Sequence, residues 1–134
     1  MSPSDVLLSD AFLDRLQDLS ASGQTLWVGL SGGLDSVVLL HQLVCRRAAT
    51  AQTLRLAAVH VHHGLSVNAD AWARFCQQLC HQWQVSLTIE RVVVANQGDG
   101  IEEAARLARY AIYRQVCQPG DVLVTDMTDP NWEP

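Results

Sequence analysis

The chain is expected to fold as an α/β protein, an open parallel sheet with helices on both faces. Short apolar runs rich in Val, Leu and Ala alternate with longer stretches of helical periodicity. Each pair of runs is separated by a helix-length segment, as parallel strands joined by right-handed crossovers require. No internal repeat, low-complexity segment or linker interrupts the pattern, so 134 residues read as one domain.

The elements follow in order. Residues 5–19 carry Leu8, Phe12, Leu16 and Leu19 on one helical stripe, with Ser4 placed as an N-cap and Gly23 as the stop. Leu26 to Leu30 reads as a short buried strand. Val37 to Val44 reads as a helix apolar nearly all round, which is expected to be covered on several sides. Leu54 to Val61 reads as a second strand. Asn68 to Trp83 reads as a helix whose apolar stripe is Trp72, Phe75, Cys76, Leu79, Cys80 and Trp83. Val85 to Val94 is a third strand. Ile101 to Cys117 is a helix facing the core with Ile101, Ala104, Ala105, Ala108, Ala111 and Ile112. After a turn at Gly120, Val122 to Thr125 is a fourth strand. Ligands of open sheets bind beyond the carboxyl ends of the strands, so the loops there are the place to look for chemistry.

Composition narrows the function. The formal net charge is −5, opposite in sign to the footprint of a stand-alone nucleic-acid binder. All nine cationic side chains are arginines, so no mechanism that needs a lysine can be supplied from within. Four cysteines without a secretory signal at the start predict reduced thiols in a cytoplasmic protein, and no run is long enough to span a membrane.

The chemistry-bearing segment is Ser31-Gly32-Gly33-Leu34-Asp35-Ser36, between the first strand and its helix. Adjacent glycines let the backbone turn sharply and approach a ligand closely. Amide groups at the helix N-terminus, with the helix dipole, favour phosphate. Ser31 and Ser36 can donate hydroxyl hydrogen bonds. Asp35 has two readings. It contributes about 0.3–1 kcal/mol as an acid in the first helical turn, or it holds a Mg²⁺ ion that bridges carboxylate and phosphates. The Walker A motif is excluded for want of a lysine, and the dinucleotide fingerprint G-x-G-x-x-G is absent.

Other candidates also have two readings. Alternation puts His60 and His62 on one strand face and His63 on the other. The loop after the second strand is well placed to contact adenine or ribose. Cys76 and Cys80 have the spacing of core residues rather than of a zinc knuckle. Arg106 and Arg109 share a helix face. Glu102 lies four residues before Arg106, which suits a solvated ion pair. Arginine forks equally suit phosphate oxygens of ATP or tRNA. Trp72 and Trp83 read as core.

SGGLDS after an apolar strand resembles the PP-loop of the N-type ATP pyrophosphatases, whose fold is of the adenine nucleotide alpha hydrolase type. Further stretches, VHVHHGLSVNADAW at 59–72, Cys76 and Cys80, GIEEAARLARY at 100–110 and GDVLVT at 120–125, are similar to those of the tRNA(Ile)-lysidine synthases over about residues 24–125. That resemblance implies ATP-dependent ligation of free lysine to the anticodon cytidine of tRNA(Ile) through an adenylated base, with ATP and Mg²⁺ as cofactors. It implies ATP binding by Ser31, Gly32, Gly33, Leu34, Asp35, Ser36 and His62. Asp35 would be the catalytic, Mg²⁺-holding carboxylate, and Arg106 and Arg109 would bind substrate. The tail Asp126-Met127-Thr128-Asp129-Pro130 departs from the His-His and Asp-Asp pairs that usually follow GDVLVT in the family. Residues 1–134 are therefore expected to be a C-terminally incomplete ATP-binding domain without the tRNA-recognition domains, unable to complete the reaction alone. The alternatives are another PP-loop tRNA-modifying or amide-forming enzyme, or an inactive nucleotide-binding remnant.

Overall fold

The computed structural model describes residues 11, 14, 15, 18, 23–30, 34–49, 54–62, 64, 67–93 and 100–125. Residues 11, 14, 15 and 18 have helical backbone. The rest of the expected first helix, with its cap at Ser4, lies outside the described residues. The remaining elements are β1 (Thr25–Gly29), α1 (Leu34–Ala49), β2 (Arg55–His62), α2 (Ala69–Gln82), β3 (Ser86–Arg91), α3 (Ile101–Val116) and β4 (Val122–Thr125).

The four strands form one sheet in the order β3-β2-β1-β4, and every pairing is parallel. Gly29, the last residue of β1, is level with Val59 on one side and Thr125 on the other. The order reverses at β1: the chain first moves outward through β2 and β3, then returns to pair β4 with the other edge of β1.

Alternation along the strands builds two cores. Leu26 and Val28 of β1 and Leu56 and Ala58 of β2 join Leu39, Leu40 and Leu43 of α1 and Cys76 and Cys80 of α2. On the opposite face Val59 and Val61 meet Tyr110 and Tyr113 of α3, with Trp27 and Leu123 against them. Helices thus cover both faces, α1 and α2 on one and α3 on the other. Leu26, Leu40 and Val28 are wholly buried, each contributing about 1.5–3 kcal/mol relative to exposure.

Three elements differ from the sequence expectation. The helix α1 begins earlier and ends later than 37–44, and it is not enveloped: Val37, Val38 and Val44 are only half-buried. Its apolar residues exceed what one sheet face can cover. The core side of α2 is narrower than its stripe, with Ala73, Cys76 and Cys80 buried but Phe75 exposed. Trp72 and Trp83 pack against the core as expected. The core side of α3 is Ala105, Tyr110 and Tyr113, while Ala111 is exposed. Large rings reach the sheet where alanines cannot, and this rotates the buried stripe away from the alanine row.

Links between side chain and backbone lock the layers. Arg47, in the last turn of α1, donates to the carbonyls of Trp83 (2.5 Å) and Gln84 (3.1 Å), where α2 has ended and its carbonyls need partners. Arg46 pairs with Asp14, bringing the N-terminal helical residues beside α1.

Candidate functional site

The strand order reverses at β1, with α1 and α3 on opposite faces of the sheet, and in open α/β sheets it is beyond the carboxyl ends of the strands at such a reversal that ligands bind. The β1–α1 connection opens there. Ser31, Gly32 and Gly33 lie outside the described residues. The flanks are described. Leu30 is buried, Leu34 starts α1, Asp35 is exposed in the first helical turn, and Ser36 is fully buried. An acid at the positive end of a helix, open to solvent, is a hard oxygen donor of the kind Mg²⁺ takes.

The loop is approached through a clamped residue. The Leu30 amide donates to the Val59 carbonyl at 2.8 Å. The Leu30 carbonyl accepts from His60 Nδ1, also at 2.8 Å. His60 is buried on the α1/α2 face of β2, as its alternation with Ala58 requires. Burial holds its pKa below the ordinary histidine value, against the opposing effect of the Leu30 bond, and the neighbouring His62 lowers it further.

Two residues on, His62 ends β2 and is buried on the same face. Its Nε2 lies 2.7 Å from Asp70 Oδ1, in the first turn of α2. Arg91, the last residue of β3, approaches both groups, at 3.3 Å from His62 Nε2 and 3.5 Å from Asp70 Oδ1. One ring nitrogen cannot donate to the carboxylate and accept from the guanidinium together. The shorter contact decides: Nε2–H donates to Asp70, and Arg91 is a loose ion-pair partner of Asp70. The hydrogen bond from His62, aided by the Arg91 guanidinium against desolvation, holds the Asp70 carboxyl below its usual range. His63 lies outside the described residues.

Gly29 is a site residue that the sequence reading passed over. A Cβ there would meet Tyr113 Oη at 3.0 Å and Thr125 Cγ2 at 3.1 Å. The tyrosine of α3 and the end of β4 close onto β1 only because position 29 has no side chain. A glycine inside an apolar strand was the available signal.

Arg106 and Arg109 lie on α3, across the sheet from His62. Arg106 pairs with Glu103: Nε donates to Oε2 at 2.9 Å and Nη2 to Oε1 at 2.5 Å. The guanidinium also stacks over the Tyr110 ring at 5.4 Å. An acid three residues before an arginine lies on the same helix surface and is within reach of it. The side chain of Glu102 is outside the described residues.

All four cysteines are free. Burial, with the facing Cys80, pushes the Cys76 thiol up to about 12, and burial pushes Cys80 up to about 11. Neutral buried thiols are poor nucleophiles and poor metal ligands. Among the described residues no cluster of three His, Cys, Asp or Glu side chains could hold a metal, and no helix is long and apolar enough to cross a membrane. A cavity of about 670 Å³ lies at the opposite end of the sheet, between the end of α3 and the start of β4, lined by residues such as Arg114, Pro119 and Val122.

The PP-loop domain family matches residues 8–129, nearly the whole chain. The chain belongs to the PP-loop family. Among curated proteins, the chain is similar to the tRNA(Ile)-lysidine synthase of Shigella flexneri, 56% identical over 98 residues, which is 73% of this chain and 22% of that protein. It is 55% identical over 98 residues to that of Proteus mirabilis, with the same coverage. It is 50% identical over 104 residues to that of Salmonella typhi, covering 78% of this chain and 24% of that protein. The chain thus spans under a quarter of the length of these relatives.

Proposed function

We propose that this PP-loop domain is the ATP-binding part of a tRNA(Ile)-lysidine synthase, which ligates lysine to the anticodon cytidine of tRNA(Ile) through an adenylated base. The observation that carries the reading is the position of SGGLDS: it joins β1 to α1 at the reversal of strand order, in a chain half-identical to proteins of that name.

In this reading the amides of Ser31, Gly32, Gly33 and Leu34, with the hydroxyls of Ser31 and Ser36, bind the ATP phosphates at the positive end of α1. Asp35 is exposed where a phosphate-bridging Mg²⁺ would need a carboxylate, and it is the one acid in that turn. Bound there, the ion would neutralise charge on the phosphates as pyrophosphate leaves. His62, fixed by Asp70 at the carboxyl end of β2, lines the nucleoside side of the site. Arg106 and Arg109 supply positive charge from α3 towards phosphates of ATP or tRNA. The rest of the lysine- and tRNA-handling machinery belongs to segments that the relatives possess beyond the matched part. The four cysteines supply no Cys-x-x-Cys pair, and Cys76 and Cys80 are buried in the core, which speaks against a sulfur-transferring alternative.

Calorimetric titration of the purified chain with Mg-ATP tests the nucleotide part. Binding should be seen, and Asp35→Ala and Gly33→Val should weaken it. No binding by the parent, or parent-like binding by both variants, would overturn it. The ligation itself is read on the chain extended to the relatives' length, as a lysine mass increment on tRNA(Ile).

A further inference from the structure

We propose that His60 is a positioning residue for the nucleotide loop: by holding the Leu30 carbonyl, its imidazole sets the direction in which the backbone enters Ser31-Gly32-Gly33. The inference rests on the ATP-site reading and adds to it a residue from outside the loop motif.

The argument starts from Leu30, the last residue before the glycines and almost fully buried. Its amide is held by the Val59 carbonyl and its carbonyl by His60 Nδ1, so β2 grips one residue of β1's extension at both polar groups. A carbonyl oxygen can only accept, so Nδ1 carries the hydrogen. Burial favours the neutral ring, which leaves Nε2 bare and fixes the tautomer.

The consequence follows from covalent geometry. A trans peptide unit is planar, so fixing a carbonyl also fixes the opposite direction of the N–H that follows it. Here that N–H opens the loop proposed to bind phosphate. Without a donor at position 60 the buried Leu30 carbonyl would be unpaired, at a cost of about 1–3 kcal/mol, or would rotate to find a partner. Rotation would turn the first loop amide with it. Alongside, Tyr113 and Thr125 stand so close to Gly29 that even an added Cβ would press on them, which limits a shift of the strand towards α3. The strain would therefore go forward into the loop. His60 differs from His62 in this respect, because His62 is bonded to a side chain of α2 and not to the loop's own strand.

Three variants test this: His60→Leu removes the donor, His60→Asn replaces it at nearly the same distance, and His60→Gln places it one bond too far. Three quantities are read on each: thermal midpoint, Kd for Mg-ATP, and nucleotide-free amide hydrogen exchange over residues 30–36. His60→Leu should weaken Mg-ATP about tenfold or more and speed exchange in 30–36, with Asn restoring Kd to within about threefold of the parent. A His60→Leu variant that loses thermal stability but keeps the parent's Kd and loop exchange would overturn the proposal. So would an Asn variant no better than Gln, a comparison that decides the matter should the Leu variant fail to fold. If the parent itself does not bind Mg-ATP, the ATP reading fails separately, and the exchange comparison alone decides whether His60 holds the loop.

Discussion

The two ends of the sheet are tied by opposite chemistry. At the amino end one carboxylate collects three donors: Asp121 accepts from the Thr25 amide at 2.9 Å, the Gln118 amide at 2.8 Å and Trp27 Nε1 at 3.0 Å. Desolvation opposes its ionisation, yet these bonds prevail and hold its carboxyl below the usual range. At the carboxyl end the tie is a buried neutral imidazole that donates to one backbone carbonyl. The first arrangement closes the fold, because its groups are spent on each other. The second holds Leu30, the residue that precedes the glycine segment. The two ties sit at opposite ends of the same strand, β1, and only the second adjoins the segment proposed to bind ATP.

The difference can be broken most severely at Gly29. Gly29→Val should destabilise by about 3 kcal/mol, at the upper end for an overpacked site, because its first carbon would already press on Tyr113 and Thr125. Urea unfolding checks this, and a change under about 1 kcal/mol would mean that α3 can move aside. Asp121→Ala comes next. Three donors lose one acceptor at a half-buried site, with an expected loss of about 1–2 kcal/mol. Affinity for Mg-ATP measured on the folded variant should not change, and a matching loss of affinity would show that the two ends are coupled.

The pH dependence should separate the ends as well. The folded pKa of His60 lies below its ordinary value of 6.5. Its contribution to stability is therefore complete above 6.5 and is lost as pH falls through the depressed folded value. Asp121 also has a depressed pKa, so its contribution is present above 3.8 and is lost only as pH falls through a lower folded value. Urea midpoints at about pH 7.5 and about pH 5.5 should therefore differ less in His60→Asn than in the parent, and Asp121→Asn should leave that difference unchanged. Equal slopes in parent and His60→Asn would refute the assignment. The smallest effect is expected from Asp70→Asn. Its ion pair with Arg91 is open to solvent, so the thermal midpoint should hardly move. A fall of several degrees would show that the His62–Asp70 contact carries structural weight.

Much of this could be read from residue order. Strand and helix spacing gave the parallel sheet, and the alternation of β2 put His60 and His62 together on one face, where the structure has them. Cys76 and Cys80 were read as core from their spacing and are buried. The α3 face was read in part: Ala105 is buried and Ile112 packs against the core, but Tyr110 and Tyr113 were missed because periodicity weighs alanine and tyrosine alike, whereas the sheet is reached by whichever side chain is long enough. Glu103 was not singled out as a partner of Arg106, because helix geometry brings acids at both three and four residues within reach. Gly29 was passed over because its neighbours come from α3 and β4, far along the chain.

By itself, then, the sequence determined the local features: which segments become strands and helices, and that a glycine-rich segment lies between the first strand and its helix. Those properties depend on neighbours within a few residues, where periodicity and turn chemistry act. Only the tertiary structure decided that β1 is flanked by β2 and β4, that Asp121 gathers donors from 94 and 96 positions away, and that a histidine 30 residues downstream holds the last carbonyl before the loop. Contacts of that range depend on how the crossovers return each strand to the sheet, and residue order does not encode that return in any local pattern.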